Sequence, residues 1–90
     1  MTNLLSESDS KAVLEILVEQ TGLTVAQLTP EARFRDDLNA DSLTIAEIVL
    51  ALEDRFNLNI PDQELDRVAT VGDLFELLAE QLGNLPPGST

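Results

Sequence analysis

Histidine and cysteine are both absent from these 90 residues, and much of the chemistry open to a small domain goes with them. Without cysteine there is no disulfide, no thiolate nucleophile of the chain's own and no Cys-ligated metal. The same absence is compatible with a reducing cytoplasm, the expected location. Without histidine no serine can be activated by the His-assisted route of a hydrolase. Trp and Tyr are missing too, and Phe occurs three times, so the core must be built mainly from Leu, Ile and Val. No apolar run approaches the ~20 residues that span a bilayer. No basic stretch precedes an apolar segment near the N-terminus, so no signal peptide is expected.

Cations are the other scarcity. Seventeen Asp and Glu stand against five Lys and Arg, a net charge of −12. Such a field repels nucleic acid and anionic membranes and favours basic protein surfaces. Strong acidity can also mark disorder. Here 43% of the residues are hydrophobic and they recur periodically, which points to one small folded domain with a modest core.

The periodicity is helical throughout. Ser6 to Gln20 reads as a first helix with Val13, Leu14, Leu17 and Val18 on one stripe and Gly22 placed for a left-handed C-terminal cap. From Leu23 to Ala40 the pattern breaks around Pro30. A connection this long needs anchors or a function, and Leu23, Val25, Leu28, Phe34 and Leu38 are the expected anchors. A second helix is expected from Ser42 to Phe56. Pro61 then holds Ile60 extended, and Asp62 is placed to cap a short third helix, Gln63 to Val68. Thr70 and Asp73 form a capping-box pattern for the last helix, with Leu74, Leu77, Leu78 and Leu82 buried and Gly83 ending it. The expected architecture is all-α: a small four-helix bundle, three main helices and a short third one, with a long first connection. Residues 1–83 would form the bundle and 84–90, with two prolines, a flexible tail.

The second helix carries two apolar faces. With about 100° per residue and Ser42 at zero, Ile45, Val49, Leu52 and Phe56 fall between about 280° and 340°, with Ile48 at the margin. That is the core stripe. Leu43, Ala46 and Leu50 cluster instead between about 40° and 100°, with Glu47, Glu53 and Asp54 around them. One reading is ordinary surface leucine, or packing against the long connection. The other is a docking face on the same side as Ser42, in which acids steer a basic partner and leucines supply contact. The stretch from Asp36 to Asp66 contains a single cation, Arg55, at roughly 220° and off that face.

Asp36-Asp37-Leu38-Asn39-Ala40-Asp41-Ser42-Leu43 resembles the modification site of acyl carrier proteins. The resemblance extends through Glu47 to Phe56, then Ile60-Pro61-Asp62, then Thr70-Val71-Gly72-Asp73, and spans roughly Val13 to Leu82. It implies a discrete, type II carrier, not itself an enzyme, with 4′-phosphopantetheine esterified to Ser42 within the Asp41-Ser42-Leu43 motif. The arm comes from coenzyme A through a phosphopantetheinyl transferase, and its thiol carries acyl groups as thioesters in fatty-acid or polyketide-type biosynthesis. Implied partners are acyltransferases, ketosynthases, reductases or dehydratases with basic docking surfaces, the acyl chain being cargo and the carrier a monomer. The docking residues would be Leu43, Ala46, Glu47, Leu50, Glu53 and Asp54. Two positions depart from the pattern. Asn39 stands where glycine is common, and asparagine tolerates a left-handed backbone better than most residues. Thr44 stands where fatty-acid carriers often show aspartate, which leaves the pathway open.

Three rivals share parts of these features. Asp37-x-Asn39-x-Asp41 imitates half of a calcium loop, but Ser42 replaces the glycine and Ile48 the bidentate glutamate, so no metal site is expected. An unmodified acidic interaction module would have no need of the serine. A peptidyl or aminoacyl carrier would share Ser42; the Asn39-Ala40-Asp41 lead-in and the acidity favour the acyl carrier.

Overall fold

The structure, a computed structural model, describes residues 5–83. The expected tail at 84–90 lies outside the described residues. Among these there are four α-helices: α1 (Glu7–Thr21), α2 (Ser42–Phe56), α3 (Asp62–Leu65) and α4 (Val71–Gln81). The small all-α bundle is as the periodicity predicts. No helix among the described residues is long and apolar enough to cross a membrane.

Each long helix starts where a short polar side chain can serve an amide that has no helical partner. Ser6 accepts from the Asp9 amide, Asp41 from Thr44 and Thr70 from Asp73. Left-handed residues close α1 at Gly22 (φ 75°) and α2 at Asn57 (φ 56°). The bundle interior is aliphatic: Leu17 and Val13 from α1, Ile48 and Leu52 from α2, and Leu74, Leu77 and Leu78 from α4 are all but sealed from solvent. The α2 stripe is centred nearer Ile48 than the helical projection implies; Ile45 and Phe56 are only half-buried. Leu82 is likewise half-buried, because α4 ends at Gln81 and Leu82 already forms its cap.

The long connection is a structural part in its own right. Leu28, Phe34 and Leu38 are buried anchors and Leu23 is half-buried. Val25 is not an anchor. It sits in a single 3-10 turn, Val25–Gln27, and is 56% exposed, because that turn lies on the outside of α1. Further on, the connection supplies backbone acceptors to α4. The Val71 amide donates to the Ala32 carbonyl (3.0 Å) and the Gly72 amide to Pro30 (2.9 Å), while Phe34 donates back to Ala69 (3.0 Å). With the Thr70 hydroxyl accepting the Asp73 amide and the Asp73 carboxylate accepting the Thr70 amide, all four orphan amides of α4 are satisfied. Gly72 suits this approach: a Cβ there would stand 3.1 Å from the Pro30 carbonyl oxygen, tighter than an ordinary contact.

The third helix departs from expectation. It is one turn long, and Pro61 rather than Asp62 occupies the cap position, with no side-chain cap bond. The segment after it is held by a side-chain clasp. Arg67 donates to Glu64 and to both carboxylate oxygens of Glu80 (3.1 and 2.7 Å), tying the α3 end to α4 and raising the guanidinium pKa.

Candidate functional site

Ser42 is the first residue of α2 and is exposed. Its position is set by a reversal of the connection immediately before the helix. The Asp37 and Leu38 amides both donate to the Arg33 carbonyl, and the Asp37 carboxylate accepts from the Arg33 amide (2.8 Å). Asn39 takes the left-handed conformation (φ 57°), as its side chain permits, and the Ala40 amide returns to the Phe34 carbonyl at 2.7 Å. Phe34, Leu38 and Ala40 are buried beneath this turn. The polar residues between them therefore face outward on a fixed base.

The helix start is only partly capped. The Asp41 carboxylate accepts from the Thr44 amide (2.9 Å), and the Ile45 amide bonds to the Asp41 carbonyl (3.0 Å). The Thr44 amide, then the Thr44 hydroxyl and the Leu43 amide, hold the Asp41 carboxyl below its ordinary value of 3.8. Among the described residues no acceptor is brought to the Ser42 amide, in contrast to α4, whose first amides are filled by the connection. A depressed carboxyl pKa stabilises the fold above the ordinary value and loses that contribution as pH falls through the lower, folded value. Asp41→Ala is therefore expected to lower Tm by roughly 4–8 °C at neutral pH, with the gap to wild type narrowing as pH drops below 3.8. Thermal melts across that range check it; a gap independent of pH would show that the charge on Asp41 contributes nothing.

The Ser42 hydroxyl has a partner that sequence reasoning missed. Arg35 Nη2 donates to Ser42 Oγ at 3.1 Å. Arg35 lies just outside the stretch in which Arg55 is the single cation, and the reversal at Asn39 brings it back beside the helix start. The seven-residue separation and the left-handed Asn39 were the available signals. Beside this pair opens a cleft of about 320 Å³ lined by Arg35, Ser42, Ile45, Leu65, Asp66 and Val68. Its half-buried floor is aliphatic, from Ile45, Leu65 and Val68.

The outward face of α2 carries most of the residues grouped with Ser42 by sequence. Leu43 is 68% and Leu50 64% exposed, and Ala46, Glu47 and Asp54 are exposed beside them. Packing of these leucines against the long connection is thereby excluded. Glu53 differs from them in its bonding. Its carboxylate accepts the Ile60 amide at 2.7 Å and is half-buried, so it fastens the segment after α2. At about 20° around the helix it sits on the border between the two faces, within reach of that amide.

The arrangement presents a nucleophile-type hydroxyl with a guanidinium and an open amide beside it, and among the described residues no base is hydrogen-bonded to that hydroxyl. Among the described residues no group of His, Cys, Asp or Glu is clustered to hold a metal ion. A family model described as a phosphopantetheine attachment site matches residues 11–83, which takes in all four helices and the connection except the first residues of α1. Members of that family are carrier domains bearing a covalently attached 4′-phosphopantetheine. A serine-bearing helix start on a small helical bundle, matched over most of its length, makes this chain a member of the phosphopantetheine-attachment family.

Proposed function

We propose that the chain is a discrete acyl carrier protein, without catalytic activity of its own, that receives its arm on Ser42 and works in the cytoplasm in fatty-acid or polyketide-type biosynthesis. The observation that carries this reading is the exposed Ser42 hydroxyl at the start of α2, with the Arg35 guanidinium at 3.1 Å and an unfilled amide at the same helix end. A phosphodiester suits that donor set, since first-turn amides and the helix dipole favour an anion there. The bound arm supplies a thiol that carries acyl groups as thioesters.

In the loading step Ser42 Oγ attacks the phosphorus of coenzyme A nearest the pantetheine. The pyrophosphate P–O bond breaks, the nucleotide portion leaves, and the serine proton passes to a base on the transferase. This chain has no histidine to take that proton, and among the described residues Ser42 Oγ is bonded by a guanidinium, which can only donate. Asp41 holds the helix end in place through Thr44. Leu43, Ala46, Glu47, Leu50 and Asp54 form the surface offered to the transferase and to acyltransferases, ketosynthases, reductases or dehydratases. Ile45, Leu65 and Val68 give an acyl chain an apolar wall to lie against on one side of the otherwise mostly polar cleft beside Ser42.

Intact-mass measurement after incubation with a broad-specificity phosphopantetheinyl transferase and coenzyme A tests the reading. Wild type is expected to gain one phosphopantetheinyl group and Ser42→Ala none. An adduct on the alanine variant, or none on folded wild type, overturns it. The mass of protein isolated from its native cell then distinguishes an acyl load from an aminoacyl one.

A further inference from the structure

Arg35 stands out among the cations of a chain with net charge −12 by its bond to Ser42, since Lys11 and Arg55 likewise lie in no ion pair among the described residues. Arg33 pairs with Asp36 (3.5 Å) and Arg67 with Glu64 and Glu80. Arg35, with seventeen carboxylates in the chain, lies within ion-pair distance of none of those described and donates instead to a neutral hydroxyl. Asp66 lines the same cleft without pairing with it. The backbone beneath is fixed by the buried Phe34 and by the Ala40–Phe34 bond, so the guanidinium starts from a set position. A hydroxyl uses little of what a guanidinium offers; an oxyanion on that oxygen would use its charge and its fork of donors.

We propose that Arg35 is a positioning residue for the arm: the built-in counter-ion of the phosphodiester on Ser42, exchanging its bond to the hydroxyl for charge-assisted bonds to the phosphoryl oxygens. The proposal rests on Ser42 being the attachment site. Arg35 then neutralises locally the charge that loading adds to an already acidic helix start, and it restrains the root of the arm beside the cleft. Loading adds one negative charge next to Asp41 and near Asp36 and Asp37. Without Arg35 that charge should destabilise the domain.

The test loads wild type, Arg35→Gln and Arg35→Lys with transferase and coenzyme A, with enough transferase to bring slow variants to completion. Intact mass confirms loading, circular dichroism confirms the helices, and loaded and unloaded forms of each protein are melted. In low salt, loading is expected to shift Tm upward in wild type relative to Arg35→Gln by about 2–5 °C. Arg35→Lys recovers part of the shift, and the difference shrinks in about 0.5 M salt. The phosphorus resonance of the loaded arm should also differ between wild type and Arg35→Gln. Equal loading-linked shifts in Tm together with identical phosphorus resonances would overturn the proposal. Should the glutamine variant fail to fold, the lysine variant is compared with wild type in the same way, because it keeps the charge and loses the fork. Failure of wild type to accept the arm on Ser42 is a separate result, visible in the mass alone; it removes the attachment reading and this proposal with it.

Discussion

Arm transfer to the Glu47→Lys, Asp54→Lys double variant is expected to run at least about tenfold slower than to wild type in low salt, with most of the loss gone at about 1 M. Both side chains are exposed on the Ser42 side of α2, and neither takes part in a hydrogen bond or ion pair among the described residues. Their reversal therefore leaves the fold alone, and removing negative charge from so acidic a chain should if anything raise Tm. What changes is the field a basic partner meets as it approaches. Such steering acts on association and is screened by salt, so the salt dependence is the diagnostic part of the result. Leu50→Ala should behave differently. A leucine left 64% exposed in the free protein contributes contact area, on the order of 1 kcal/mol, which salt does not screen. Transfer at the wild-type rate to a folded charge-reversed variant in low salt would reduce this face to solvated surface, whatever the fate of Ser42. Glu53 is left out of the reversal on purpose, since its carboxylate holds the Ile60 amide and its loss would confuse docking with stability.

The difference between Glu47 and Glu53 shows where sequence reading stops. The start of α4 was legible because a cap is a local event: Thr70 accepts the amide three residues on, as its capping-box pattern announces, while Ser6 and Asp41 make the same bond without having been read as caps. The exposure of Leu43 and Leu50 was legible because α2 is long enough for its projection to separate two faces. Glu53 lies between those faces, and its partner comes from beyond the helix, where no projection reaches. Val25 failed as an anchor for a related reason: hydrophobicity without periodicity says that a residue prefers burial, not that the chain delivers it there. Asp62 failed as a cap because Pro61, with its fixed φ, already fills the position before a one-turn helix. The connection's bonds to α4 and the Arg35–Ser42 pair are long-range events, made by a reversal whose left-handed residue was visible but whose destination was not.

That dependence of the site on the connection leads to the largest stability effect expected here. Phe34→Ala should cost about 3–5 kcal/mol, because Phe34 is 3% exposed and its truncation leaves a cavity the surrounding aliphatic core cannot fully close. A domain of this kind has about 5–15 kcal/mol in total, so Tm should fall by at least about 12 °C. Phe34→Leu keeps the position apolar and should lose much less. Denaturant titration and thermal melts measure both. The consequence for the site comes from the backbone. The Phe34 carbonyl takes the Ala40 amide and the Phe34 amide bonds to Ala69, so one ring anchors both the reversal before Ser42 and the seam to α4. Arg35 is its immediate neighbour and should lose its fixed approach to Ser42 Oγ when that anchor goes. At a temperature where Phe34→Ala is still helical, its arm transfer should therefore be slower than that of an α1 core variant matched to it in stability, such as Leu17→Ala. Equal rates would mean that the start of α2 is held by its own Asp41 cap, and that the long connection serves stability without organising the site.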